Sequence, residues 1–150
     1  MMIHILAVGK KHEDWIEQGV VRFTERLRTP FAAKFELLPH SKRPGAEAAD
    51  DESTRLLKRI DEKDVVILLD ERGQNLTSPE VSSFLVENSS RQVIIIIGGA
   101  YGVNQNLKDR ADLVWSLSRL VFPHQLVRLI LSEQLYRAQE ISRGSQYHHQ

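Results

Sequence analysis

Residues 93–102 read VIIIIGGAYG. Five consecutive β-branched side chains, Val93 to Ile97, run directly into the pair Gly98-Gly99. Val and Ile are stiff at χ1 and suit a pleated strand. Their run shows no polar alternation, so it predicts a strand covered on both faces, as in a parallel sheet. The glycine pair permits positive φ and lets a ligand approach with no Cβ in the way. In open α/β sheets, ligands collect at the carboxyl ends of strands. The loop from Gly98 to Gly102 is therefore the first candidate binding site, and a tight turn that binds nothing is the competing reading.

The rest of the chain supplies the partners such a strand needs. Ile3–Val8 (IHILAV), a strand from Lys34 to Leu38, Val65–Leu69 (VVILL) and Leu113–Leu117 (LVWSL) read as further strands. Between them lie helical patterns. One runs from Glu13 to Leu27, with Trp15, Ile16, Gly19, Val20, Phe23 and Leu27 at three- and four-residue spacing. Others cover Ala46–Ile60, a stretch to Glu87 capped by Ser78, a short segment Asn104–Arg110, and Gln125–Ser142. Asp70–Thr77 (DERGQNLT) reads as a polar turn. Alternating strands and helices predict an α/β fold, a parallel sheet with helices on both faces. His40–Gly45 (HSKRPG) carries Lys42 and Arg43, either as a solvated loop or as a phosphate contact.

Composition sets limits. A chain of 150 residues can bury a core and suggests one domain over residues 1–150. It has no cysteine, hence no disulfide framework, thiolate metal site or thiol nucleophile. No apolar run approaches the roughly 20 residues of a membrane span. The opening MMIHILAVGKKHEDW lacks the leading positive charge of a signal peptide. A cytoplasmic protein without membrane partners is the expectation. The formal net charge is zero, which argues against a generic nucleic-acid binder but would hide a local basic patch. GKKHED after the first strand is not G-x-G-x-x-G, Walker A is absent, and no metal-ligand spacing stands out.

The last helix is apolar around most of its circumference. Only Arg128, Ser132 and Gln139 form a clean polar stripe. An ordinary surface helix shows the reverse proportion, so a second buried side is expected, most simply a homodimer interface. Glu133 and Arg137 sit within the apolar face, four residues apart. Charges there cost free energy unless paired, which points to a buried pair or a site shared between subunits. The tail places Tyr147, His148 and His149 together. Tyr and His can stack on bases and hydrogen-bond near neutral pH.

LLD at 68–70, GGAYG at 98–102, SLSRLVFPHQLVRLILSEQLYRA at 116–138 and YHHQ at 147–150 together resemble one family. It is the small bacterial methyltransferases of the SPOUT class that modify N3 of a pseudouridine in large-subunit ribosomal RNA. The likeness covers the whole chain, including the opening ILAVGK, and is most specific from Gly98 onward. It implies a C-terminal trefoil (α/β) knot and S-adenosyl-L-methionine as cofactor. By the same likeness the cofactor would touch Leu69, Gly98 and the loop Leu117, Ser118, Arg119, Leu120, Val121 and Phe122. The substrate would be pseudouridine 1915 of 23S rRNA, met within the assembled 70S ribosome.

The resemblance further implies a homodimer with a composite active site, to which Glu133, Arg137, Tyr147 and His148 would contribute catalytic groups. Tyr147 would stack on or position the base, and His148 would contact base or phosphate. Arg137 and Arg128 would neutralise phosphate or hold the tail. Glu133 would fix Arg137 or accept a proton. His124 reads as structural. Lys10, Lys11, Arg22, Arg26, Lys42 and Arg43 are the candidate phosphate contacts. Two rivals stay open: a SPOUT methyltransferase acting on tRNA, and a non-enzymatic dimeric ligand-binding regulator that would not need the tail.

Overall fold

A computed structural model describes residues 2–149. The strands β1 (Ile3–Val8), β2 (Ala33–Leu38), β3 (Val65–Asn75), β4 (Val93–Ile97) and β5 (Leu113–Ser116) form one parallel sheet. Their order is β2-β1-β4-β3-β5. The VIIII run is thus the central strand, and each of its residues is buried. Having no polar side chain to show to water, it takes the middle position of the sheet.

The helices are α1 (Asp14–Thr24), α2 (Gly45–Leu57), α3 (Ser78–Glu87), α4 (Gln105–Arg110) and α5 (His124–Ser142). The two-residue period of a strand deals alternate side chains to opposite faces. Ile5, Ala7, Ile67, Ile95 and Ile97 pack with Val81 and Leu85 of α3 and Leu131 and Leu135 of α5. Leu6, Val8, Val66, Leu68, Ile94 and Ile96 pack with Leu56 of α2 and Leu107 of α4. Helices therefore cover both faces, and α5 touches both α1 and α3. Among the described residues no helix is long and apolar enough to cross a membrane.

Several boundaries differ from the sequence reading. β3 does not stop at Leu69. It passes through an irregularity between Leu69 and Gln74, then pairs again, Gln74 with Trp115 and Asn75 with Ser116. The polar stretch hid this because only one edge of it meets β5. Gly73 explains the close approach: a Cβ there would lie 2.6 Å from the Val114 carbonyl oxygen and 2.9 Å from the Trp115 nitrogen. The N-cap of α3 is Thr77 rather than Ser78. Its hydroxyl accepts from the Glu80 N–H at 3.2 Å, and the Glu80 carboxylate accepts from the Thr77 N–H at 2.9 Å. This capping box holds the Glu80 carboxyl below its usual range, chiefly through the Thr77 N–H. α1 ends at Thr24, three residues short of Leu27, and Trp15 is exposed.

The last helix turns over relative to its sequence pattern. Its polar stripe faces inward: Arg128, Ser132 and Gln139 are all buried. Each satisfies backbone groups that no apolar residue could. The Gln139 side chain accepts from the Arg28 N–H at 2.6 Å and donates to the Arg26 carbonyl at 3.1 Å. The Ser132 hydroxyl donates to the Arg128 carbonyl at 2.8 Å. Leu126, Leu129 and Ile130 are left only half-buried, along a groove of about 690 Å³ between α1 and α5.

Candidate active site

All five strands end at one edge of the sheet, because all are parallel. There the Gly98 loop meets the irregular stretch of β3 from Leu68 to Arg72 and the segment after β5, enclosing a cavity of about 460 Å³. Leu69, Gly98, Leu117, Ser118, Leu120, Val121 and Phe122 line it, together with Trp115, His124 and Val127. Arg119 does not. Its Nε donates to the Asn75 side chain at 3.4 Å, outside the lining. Leu120 and Val121 are 69% and 77% exposed, two large apolar side chains in the loop that closes the cavity. Cover by a ligand or partner would remove that surface from water.

Gly98 and Gly99 are required for space, not for the positive φ expected of them. Positive φ falls instead on Gly102, at 77°. A Cβ on Gly98 would lie 2.9 Å from Val103, and one on Gly99 would lie 2.5 Å from the buried Glu52 carboxylate. Glu52 Oε2 accepts from the Ser41 N–H at 2.8 Å. One carboxylate thus underlies the glycine loop and anchors the basic loop carrying Lys42 and Arg43. Nothing in the sequence pattern separates Glu52 from its acidic neighbours on α2.

The tail residues gather elsewhere. Glu133 and Arg137 form a two-pronged ion pair, Oε2–Nη2 at 2.6 Å and Oε1–Nε at 3.3 Å. The Tyr147 hydroxyl donates to Glu133 Oε2 at 2.8 Å, and the Arg137 guanidinium lies 4.8 Å from the centroid of the Tyr147 ring. His148 Nδ1 lies 3.1 Å from Arg137 Nη1 and accepts from it. The Glu133 hydrogen bond holds the Arg137 guanidinium above its usual pKa. Partial burial, then Glu133, pushes the Tyr147 phenol up. Tyr147 therefore stays a neutral donor near neutral pH.

The cavity and the tail cluster share no residue. His124 and Glu133 are nine positions apart on α5, roughly 13 Å along a helix rising 1.5 Å per residue. Within one chain the two groups of candidate residues do not form one site. A more open hollow of about 770 Å³ lies at the opposite end of the strands, lined by residues 61–64 and 90–92. Guanidiniums there are spent on backbone carbonyls: Arg110 on Asp61 and Asp64, Arg91 on Lys63. It offers no set of convergent reactive groups.

Arg128 is placed where it cannot meet phosphate. It is 0% exposed, and its Nη1 donates to the Lys10 carbonyl at 2.8 Å and to His12 Nδ1 at 3.2 Å. Lys10, Lys11, Arg22, Arg26, Lys42 and Arg43 are exposed. Lys10, Lys11, Lys42 and Arg43 follow β1 and β2, at the same sheet edge as the cavity.

His12 and His124 are both held below the ordinary histidine range, by burial first and then by the Arg128 charge. Histidines in the unfolded chain titrate near about 6.5. Below that value the unfolded chain takes up protons before the folded one, so these groups favour the fold above it and cease to do so as pH falls through their folded values. Thermal melts between about pH 7 and pH 5 should show a falling Tm, with a shallower slope in a His12→Gln variant.

The geometry defines an α/β protein with a cavity at the strand ends and a polar cluster where the last helix meets the tail. A family described as "Predicted SPOUT methyltransferase" matches residues 1–148, and the chain belongs to this family. It is similar over its length to proteins named ribosomal RNA large subunit methyltransferase H. The relative from Geobacter metallireducens is 41% identical, covering 99% of both chains. Those from Thioalkalivibrio sulfidiphilus and Desulfitobacterium hafniense are 38% and 41% identical, each also covering 99% of both chains.

Proposed function

We propose that this chain is a homodimeric, cytoplasmic rRNA methyltransferase that carries a methyl group from S-adenosyl-L-methionine to N3 of pseudouridine 1915 in 23S rRNA, on the assembled 70S ribosome. The observation that carries this reading is the separation of cavity and tail cluster along α5. A second subunit packed on the half-buried face Leu126, Leu129 and Ile130 would bring one chain's tail toward the other's cavity. The reading includes a single domain over residues 1–150 and the C-terminal knot of the family.

The cavity suits the donor. Its volume falls within the range of small-ligand sites. Its walls at Leu69, Leu117, Val121 and Phe122 are apolar, and the Gly98 loop presents backbone polar groups. Bound there, the donor would supply a sulfonium methyl for in-line displacement. N3 of the base carries a proton that must leave. Both Glu133 oxygens are engaged by Arg137, Tyr147 and Gln134, so Glu133 positions the cluster rather than taking the proton. With Nδ1 accepting from Arg137, the remaining nitrogen of His148 presents its N–H to a base or phosphate. Arg137 offers positive charge beside a nucleobase stacked on Tyr147, favouring the deprotonated base.

The test is transfer of labelled methyl from S-adenosylmethionine to 70S ribosomes, separate subunits, naked 23S rRNA and bulk tRNA from cells lacking the gene. Label confined to 70S particles is the expected result. Label in tRNA would move the substrate and keep the chemistry. No transfer to any RNA, despite donor binding, would sink the rRNA assignment and favour the ligand-binding regulator.

A further inference from the structure

Arg128 is the largest fully buried side chain among the described residues. Its hydrogen-bond partners there are a carbonyl and an imidazole, and its Nε and Nη2 have none. A buried charge without a counter-ion carries a cost of several kcal/mol. Its surroundings suggest what that cost supports. Nη1 ties down the β1–α1 connection at Lys10 and His12. One helical turn before it, His124 holds the Gly98 carbonyl, Nε2 to O at 2.9 Å. The two side chains converge on Gly9, where a Cβ would lie 3.0 Å from Arg128 Nη2 and 3.6 Å from the His124 ring. His40 reaches the same point from beyond β2, at 3.5 Å.

The Gly98 carbonyl matters because glycine pairs are the least constrained of backbones. The peptide unit is planar, so fixing the Gly98 carbonyl also fixes the direction of the Gly99 N–H. His124 therefore determines how the first peptide beyond β4 is presented at the cavity it also lines.

We propose that His124 and Arg128 are positioning residues for the methyl donor: His124 fixes the Gly98 peptide, Arg128 holds the β1–α1 connection against Gly9, where the two side chains converge, and together they set donor affinity rather than the rate of transfer. This rests on the cavity being the donor site. The groups facing His124 are Arg128 on its own helix, His40 beyond β2 and the Gly98 carbonyl. Burial, Arg128 and His40 all disfavour its charged form, against the Gly98 carbonyl. The neutral ring then carries its proton on Nε2 and donates it to Gly98.

Donor binding to the full chain, measured by calorimetry with S-adenosylmethionine, tests this alongside turnover at saturating donor. His124→Ala should raise Kd about tenfold, the loss of roughly one hydrogen bond and its ordering. It should leave kcat within about threefold. His124→Gln, whose side-chain N–H can replace Nε2–H, should recover most of the affinity. In Arg128→Met, checked for a native melt, the His124 ring resonance should titrate at higher pH than in the wild type and the donor Kd should rise. Wild-type affinity in His124→Ala, or no recovery in His124→Gln, would overturn the proposal while leaving the donor site intact. A wild-type chain that bound no donor would overturn the donor site and this proposal together.

Discussion

Removing residues 147–150 is expected to lower methyl transfer at saturating donor by about 100-fold or more, with donor Kd within about twofold of the full chain. The first figure is what misplacing one reacting partner costs when orientation supplies much of the acceleration. The second follows from geometry, since among the described residues no tail residue of the same chain lines the cavity. Tyr147→Phe divides the effect. It keeps the ring beneath Arg137 and removes the hydroxyl that Glu133 accepts at 2.8 Å. If stacking is the role of Tyr147, this variant keeps most turnover and Tyr147→Ala does not. Single-turnover rates on 70S particles, beside calorimetric donor binding, decide the matter. Loss of donor binding on truncation would instead place the tail over the cavity.

The largest effect on stability is expected at Gly73. Gly73→Val should cost about 3 kcal/mol, the upper end for forcing atoms into a packed site. For a chain of this size that is a Tm fall of roughly 6–12 °C. A Cβ at Gly73 meets backbone, the Val114 carbonyl at 2.6 Å, and backbone cannot swing aside. Gly19 is the control. A Cβ there comes equally close, 2.5 Å, but to the terminal methyl of Leu129, a flexible side-chain end that can rotate. Gly19→Ala should cost little, helped by the better helix propensity of alanine. Calorimetric melts of both variants test the contrast. Gly73→Val should also weaken donor binding, because Asp70, Glu71 and Arg72 line the cavity just before it.

Gly73 marks one boundary of what the sequence discloses. The VIIII run announced a strand covered on both faces, since five branched apolar residues admit few other fates. Strand order was not legible: β1, β4 and the first half of β3 are all apolar runs, and such runs do not state which neighbour they take. The second segment of β3 was hidden for a related reason. An edge-facing, solvent-wetted extension such as Arg72–Asn75 carries the composition of a turn. α5 misled more instructively. Its pattern discloses an unusual helix, but a polar stripe carries no mark of whether it faces water or bare backbone. Its polar side chains lie inward because the loops around α1 present bare backbone N–H and C=O groups that need partners. The clustering of Glu133, Arg137, Tyr147 and His148 was suggested by family likeness, and their spacing alone explains only the Glu133–Arg137 pair. His124 and Arg128 were each noticed, but their meeting at Gly9 depends on the path of β1, which no local spacing encodes.

The half-buried apolar face of α5 also has a consequence for dosage. If each working site draws its tail from a second copy, the number of sites follows mass action. Below the dissociation constant of the pair, it rises with the square of chain concentration, so in a cell of fixed volume a tenfold drop in chain number removes about 99% of the sites. Methylation would then respond to expression level as a threshold rather than in proportion. A cell carrying few copies would leave its ribosomes unmodified even though every chain was folded and bound to donor.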